Sequence, residues 1–178
     1  FVNGGIFNQE KYNEKIVKWM IENGYDIGNH TQTHLDIKKS TAENVQKEIV
    51  YVYNKLEELI PGKYVKIIAL PFGSPYTKEH ENYKYVLSST YDGKTYETEA
   101  TLRVGWEPEV SPFAKTFDKT FLKRCRAYDN NGKEFDIKMV FNMLKTSRYI
   151  SDGEKDLITI PSSLKDNLGE TDKKIITY

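Results

Sequence analysis

The run from Val65 to Leu70, apolar at every position except Lys66, constrains the fold more than any other segment of the chain. A strand buried on both faces shows such a run, because both of its alternating rows of side chains leave water. It follows a helical stripe. Val45, Ile49, Val52, Leu56 and Leu59 line one face between about Thr41 and Ile60, Ser40 and Glu43 form a capping-box pattern, and Pro61-Gly62 ends the segment. Upstream, Tyr12, Ile16 and Met20, with Val17 and Ile21 beside them, predict a helix over 9–23, capped by Gly24. A short strand over 25–28 comes next, and Phe1-Val2 reads as the tail of an earlier buried strand.

Beyond Leu70 the pattern predicts a turn at Pro71-Phe72-Gly73, a short helix over 82–88 and a turn at Tyr91-Asp92-Gly93-Lys94. Strands follow over 100–106 and 121–127, a helix over 136–145, and short strands over 157–160 and 175–177. Helix and strand alternate through the first half, which implies an α/β architecture with parallel strands. With 178 residues and no repeat, linker or low-complexity tract, the expectation is one α/β domain over 1–178, a barrel or an irregular version of one.

Lys plus Arg and Asp plus Glu are both 26, so the net charge is zero. No surplus of cations exists for a nucleic-acid binder that relies on a broad basic face. Aromatic residues make up 13% of the chain, with 13 Tyr, 8 Phe and 2 Trp. Flat rings suit the C–H faces of sugars, and equally the rim of an ordinary core. Cys125, the single cysteine, rules out an internal disulfide framework. No stretch approaches the roughly 20 apolar residues of a membrane span.

Of three histidines, His30 and His34 sit four apart in a polar loop, Gly28-Asn29-His30-Thr31-Gln32-Thr33-His34, after the short strand. In a helical turn or tight loop that spacing aims both imidazoles the same way, and imidazole is a good ligand for zinc, cobalt or nickel. Spacing alone does not single out a metal site, since such pairs also occur on exposed helices. Thr31 and Thr33 carry hydroxyls able to hold the loop or the rings. His80, between Glu79 and Glu81, reads as a solvated surface residue.

The segment from Gly24 to Asp36 resembles the second motif of the NodB-homology polysaccharide deacetylases, His-(Ser/Thr)-x-x-His after a helix, a glycine and a short strand. The resemblance runs from Phe1 to about Gly73 and continues more loosely to the end. It implies a deformed (β/α) barrel with its site at the carboxyl ends of the strands, and His30 and His34 as ligands of a divalent metal, zinc first and cobalt or nickel as alternatives. The implied reaction is hydrolysis of N-acetyl groups on a polysaccharide such as peptidoglycan or a chitin-like polymer, outside the cell or at the wall of a bacterium. In the family an Asp pair on the first strand supplies the base and a third ligand. That strand is expected upstream of Phe1, so the encoded protein is expected to be longer and the present chain inactive alone.

Ala69-Leu70-Pro71-Phe72-Gly73 keeps the end of the family's Arg-x-Pro-(Tyr/Phe)-Gly motif and lacks its Arg. The resemblance gives the Phe72 backbone N–H an oxyanion role and puts Pro71 and Gly73 against substrate, where a plain turn is the alternative. Arg103, in an otherwise apolar strand, is the candidate substitute for the missing Arg or else an exposed edge residue. Trp106 is expected to wall the substrate groove. No Leu-x-His motif follows His80, and Asp152 either assists the leaving amine or shapes an Asp-Gly turn. An inactive glycan-binding relative and a metal-dependent C–N amidase acting on a small substrate are the competing readings.

Overall fold

The apolar run becomes β1 (Ile67–Ala69), shorter than the 65–70 expected, and it pairs in parallel with β4 (Ala100–Val104), Ile68 opposite Thr101. This computed structural model describes all residues except Trp106, Arg126, Gly132, Glu134, Phe135, residues 148–150 and Asp152. On the other side of β1 the parallel order continues through single bridges, Ile68 to Asn29 and Asn29 to Val2. The short strand expected over 25–28 is thus an extended segment that pairs at Asn29. Backbone bonds close this edge: Val2 N donates to Gly28 O and His30 N to Val2 O, both at 2.9 Å.

Two helices cover this sheet with separate apolar clusters. In α2 (Ala42–Leu59) the stripe buries as its spacing requires, with Val45, Ile49, Val52 and Leu56 all at 0% exposure. Its N-cap is Thr41, whose hydroxyl accepts from Asn44 N; the Ser40–Glu43 box does not form, and Ser40 Oγ donates to the Asp36 carbonyl instead. Helix α1 (Asn13–Glu22) starts later than the expected Gln9. Its inward face centres on Val17 with Met20 and Ile21, while Tyr12 is exposed. The buried Asn13 marks that start: its Nδ2 donates to Gly5 O and its Oδ1 accepts from Gln9 N, fixing the turn that precedes the helix.

After α3 (Tyr83–Leu87) comes a hairpin, β2 (Ser88–Tyr91) antiparallel to β3 (Lys94–Glu97), around the Asp92-Gly93 turn. The turn was expected and its strands were not. The chain divides into two compact units, the first being Phe1–Val104 with Lys119–Leu122. The second is Gly105–Asp118 with Lys123–Tyr178. Strand β5 (Leu122–Arg124) is shorter than the expected 121–127 and follows a 3-10 turn, Lys119–Phe121. The second unit contains α4 (Ile137–Ser147) and a parallel pair, β6 (Leu157–Ile160) with β7 (Lys174–Thr177). Asp136 starts α4 by accepting from Lys138 N and Asn130 N, both at 2.6 Å.

Leu56 is enclosed by Val2, Ile6, Val17 and Ile27 in the α1–α2 cluster. Leu56→Ala is expected to cost about 2–5 kcal/mol in urea unfolding. A loss well under 1 kcal/mol would place Leu56 at the surface.

Candidate functional site

Parallel alignment of Val2, Asn29, Ile68 and Thr101 brings four chain segments to the same end of the sheet at their carboxyl ends. His30 directly follows the Asn29 bridge, and Pro71-Phe72-Gly73 follows β1 one residue later. The loop and the turn, far apart in sequence, therefore emerge side by side. In open parallel sheets this end is where ligands bind.

The histidine rings meet. Their centroids are 4.8 Å apart with planes at 80°. His30 Nδ1 lies 2.6 Å from the Ala69 carbonyl oxygen. A carbonyl only accepts, so Nδ1 carries the proton and donates. Two imidazoles that share one zinc, at about 2.0–2.1 Å per nitrogen and a roughly tetrahedral angle, have ring centres about 5 Å apart. The observed pair fits that separation, and a backbone-anchored Nδ1–H is the usual way a ligating histidine is oriented. Among the described residues, no third His, Cys, Asp or Glu completes a metal-binding group with them.

The loop that carries the pair holds unusual backbone. Thr31 has φ 61° and His34 has φ 65°, in the left-handed region that a β-branched residue in particular avoids. Polar contacts on each side hold these conformations. Thr31 N donates to Asn29 Oδ1 at 2.8 Å, and Thr31 Oγ1 accepts from Leu35 N at 3.1 Å. Asn3 Nδ2 donates to the carbonyls of His30 and Thr31, at 2.9 and 3.1 Å. Thr33 bonds Glu48 of α2 through both its N–H and its hydroxyl.

Pro71–Gly73 forms a 3-10 turn in which Phe72 has φ 56° and Gly73 φ 70°. Gly73 N donates to Leu70 O and Ser74 N to Pro71 O, both at 3.0 Å, while among the described residues no protein acceptor takes the Phe72 N–H. The His34 ring stands edge-on to Phe72, centroids 4.5 Å apart, and the Phe72 side chain is 55% exposed. His30, His34, Pro71, Phe72 and Gly73 thus converge. Gly73 has to be glycine, since a Cβ there would lie 2.6 Å from Val104 Cβ and 2.7 Å from Val104 N.

Arg103 joins a different group. Its guanidinium lies over the Phe121 ring at 4.9 Å, and Nη1 donates to Val104 O at 3.3 Å. Phe121 packs on Tyr83, whose hydroxyl meets that of Thr101, two residues before Arg103 on the same side of β4. Its Nε is buried without a hydrogen-bond partner among the described residues. The neighbour of His30 on β1 is Ala69, which meets it through backbone. Trp106 and Asp152 lie outside the described residues. His80 is half-buried rather than solvated, and its Nδ1 accepts from Asn82 N at 3.2 Å.

The sequence reading did not single out Asn3, Asn29, Glu48, Asp36 or Ser74. Asp36 ties the loop to the turn: Ser74 Oγ donates to its Oδ1 at 2.6 Å, and Lys39 Nζ is 3.2 Å from its Oδ2. Burial pushes the Asp36 pKa up, but the Ser74 hydroxyl, Lys39 and the Lys38 amide outweigh it and leave the carboxyl below its ordinary value. A depressed folded pKa adds stability that is present above the unfolded value, about 3.9, and lost as pH falls through the folded one. Wild type is therefore expected to exceed Asp36→Asn by a constant margin above about pH 5. The margin shrinks below about pH 4, read by urea unfolding across pH. Gly73→Ala is expected to cost about 1–3 kcal/mol in the same assay, from strain and overlap with Val104.

No solved structure matches the chain. The family model described as polysaccharide deacetylase matches residues 1–89. That stretch holds both histidines, the Ala69 carbonyl and the Pro-Phe-Gly turn. On this match, and with a parallel sheet presenting the pair at its carboxyl end, the chain belongs to the polysaccharide deacetylase family.

Proposed function

We propose that the protein is a metal-dependent N-deacetylase of a glycan, and that His30 and His34 hold the metal. Family membership supports deacetylation of glycans as the general activity. The observation that carries the finer reading is the histidine pair itself, rings 4.8 Å apart, with His30 Nδ1 tied to the Ala69 carbonyl. Imidazole nitrogens suit zinc, and cobalt or nickel as well. A divalent ion, when bound, supplies Lewis acidity toward the acetyl carbonyl and toward water.

The protein's own groups then divide the remaining work. His30 donates through Nδ1 and presents Nε2. The Phe72 N–H, free of a protein acceptor among the described residues, is aimed from a strained turn and suits an oxyanion. Pro71 and Gly73 fix that turn, and the exposed Phe72 ring beside His34 gives a sugar ring an apolar surface. Water adds to the acetyl carbon to give a tetrahedral oxyanion. The C–N bond then breaks, the amine nitrogen takes a proton, and acetate leaves.

The substrate class in this reading is an N-acetylated polysaccharide such as peptidoglycan or a chitin-like polymer. The site of action is then outside the cell or at the wall of a bacterium. The barrel is a further part of the reading, supported by the parallel order of Val2, Asn29, β1 and β4. Among the described residues no helix is long and apolar enough to cross a membrane.

Two measurements on the full-length protein test the reading. Co²⁺ is expected to bind with the visible absorption of a low-coordinate site, and His30→Ala or His34→Ala is expected to weaken it by roughly 100-fold or more. Acetate release from N-acetylated chitooligosaccharides or peptidoglycan is expected to fall to background in the same variants. Glycan binding with no acetate release, unchanged by either substitution, would make the protein a binding relative. Turnover of small amides in preference to polymer would make it a C–N amidase.

A further inference from the structure

Each histidine of the pair directly follows a residue tied to α2. Before His30, Asn29 Nδ2 donates to the Ile49 carbonyl at 3.0 Å. Before His34, Thr33 N donates to Glu48 Oε2 at 2.7 Å and Thr33 Oγ1 to Glu48 Oε1 at 2.8 Å. The two helix residues are consecutive, so one point on α2 grips the loop just ahead of both rings.

Glu48 is only 9% exposed, and a carboxylate withdrawn that far from water is tolerated when its oxygens are satisfied. Both oxygens here accept from one residue. Thr33 itself is exposed, so packing does not set its conformation. Its neighbours Thr31 and His34 hold left-handed backbone, which costs on the order of 1–3 kcal/mol per residue and persists where the surroundings over-determine it. Asn29 and Asn3 constrain the Thr31 side of the loop. On the His34 side the two-pronged contact from Glu48 has that role.

We propose that Glu48 is a positioning residue for the metal-binding loop, holding His34 beside His30 through its paired hydrogen bonds to Thr33. The inference rests on the metal reading above. Glu48 touches neither ring. It acts by restricting Thr33, and with it the direction in which the His34 side chain leaves the backbone.

Glu48→Gln tests this in the full-length protein, because the amide keeps the shape but has a single accepting oxygen, so the Thr33 N–H and hydroxyl can no longer each donate to an oxygen of their own. Co²⁺ affinity is expected to fall by about 10–100-fold, the usual effect of losing a group that orients a ligand. In the metal-free protein, amide exchange at Thr33 and His34 is expected to speed up while that of β1 stays unchanged. Thr33→Ser, which keeps both donors, is expected to behave as wild type, and the exposed Glu43→Gln on the same helix likewise. Unchanged affinity and unchanged loop exchange in a folded Glu48→Gln would overturn the proposal, and so would faster exchange spread equally over β1. Where Glu48→Gln fails to fold, Thr33→Val removes one prong from an exposed position and carries the same two readouts. Wild type that binds no Co²⁺ would sink the metal reading, while the exchange measurement still decides whether Glu48 anchors the loop.

Discussion

The carbonyl of Ala69, at the end of β1, accepts a hydrogen bond from His30 Nδ1, and the chemistry available at this end of the sheet depends on that contact. It selects the tautomer, points Nε2 away from the strand, and ties the ring to backbone whose position the sheet already sets. Ala69 N in turn donates to the Asn29 carbonyl at 3.0 Å. Residue 69 therefore serves the residue before His30 with its N–H and His30 itself with its C=O. A side chain is unnecessary at that position for either bond, which is consistent with an alanine standing where the family motif carries an arginine.

Backbone strain at the site has a steric and a polar origin. Behind the site the strands come close together: a Cβ on Gly28 would lie 2.7 Å from the Phe1 ring and 2.9 Å from the Ile67 carbonyl. Gly73 is crowded by Val104 in the same way. At the front, Thr31, His34 and Phe72 adopt left-handed conformations, which the β-branched Thr31 and the bulky Phe72 in particular disfavour. Asn3 and Asn29 bond the backbone of Thr31, and Glu48 accepts from Thr33, next to His34. The turn bonds of Gly73 and Ser74 hold Phe72. Two rings held this close on a loop with left-handed backbone need such outside constraints, because the loop alone would relax.

Much of this was legible in the sequence, and the exceptions have identifiable causes. The stripe on α2 was legible because burial there follows one face of a helix, and Val45, Ile49, Val52 and Leu56 carry it. The histidine pair was legible because two imidazoles four residues apart coincide with a family motif. The β2–β3 hairpin was not, since only Tyr96 among its strand residues is buried and no apolar alternation marks it. The cap of α2 shifted by one residue because Ser40 is engaged with Asp36, a contact local composition does not reveal. Arg103, which interrupts an apolar strand, left two readings open from sequence, a replacement for the missing arginine or an exposed edge residue. Its partner turned out to be the face of Phe121, a long-range contact within the first unit.

Glu48 shows why a site's supporting groups are harder to read than its ligands. A ligand announces itself by chemistry, since few side chains bind a divalent ion. An anchoring carboxylate is one of many acidic residues on an amphipathic helix, and nothing in its type separates it from a solvated Glu. Its position does carry a signal: Glu48 lies three residues after Val45 and one before Ile49, so the helical turn of about 100° per residue puts it at the edge of the buried stripe. A charge at that edge has to find donors. The loop between His30 and His34 offers two from one threonine, and accepting both satisfies the carboxylate while restraining the loop. Satisfying a buried acid and restraining the loop between His30 and His34 are here the same pair of hydrogen bonds. A polar group required by the site can thus be found by asking which acid on the buried edge of a helix lacks any other partner.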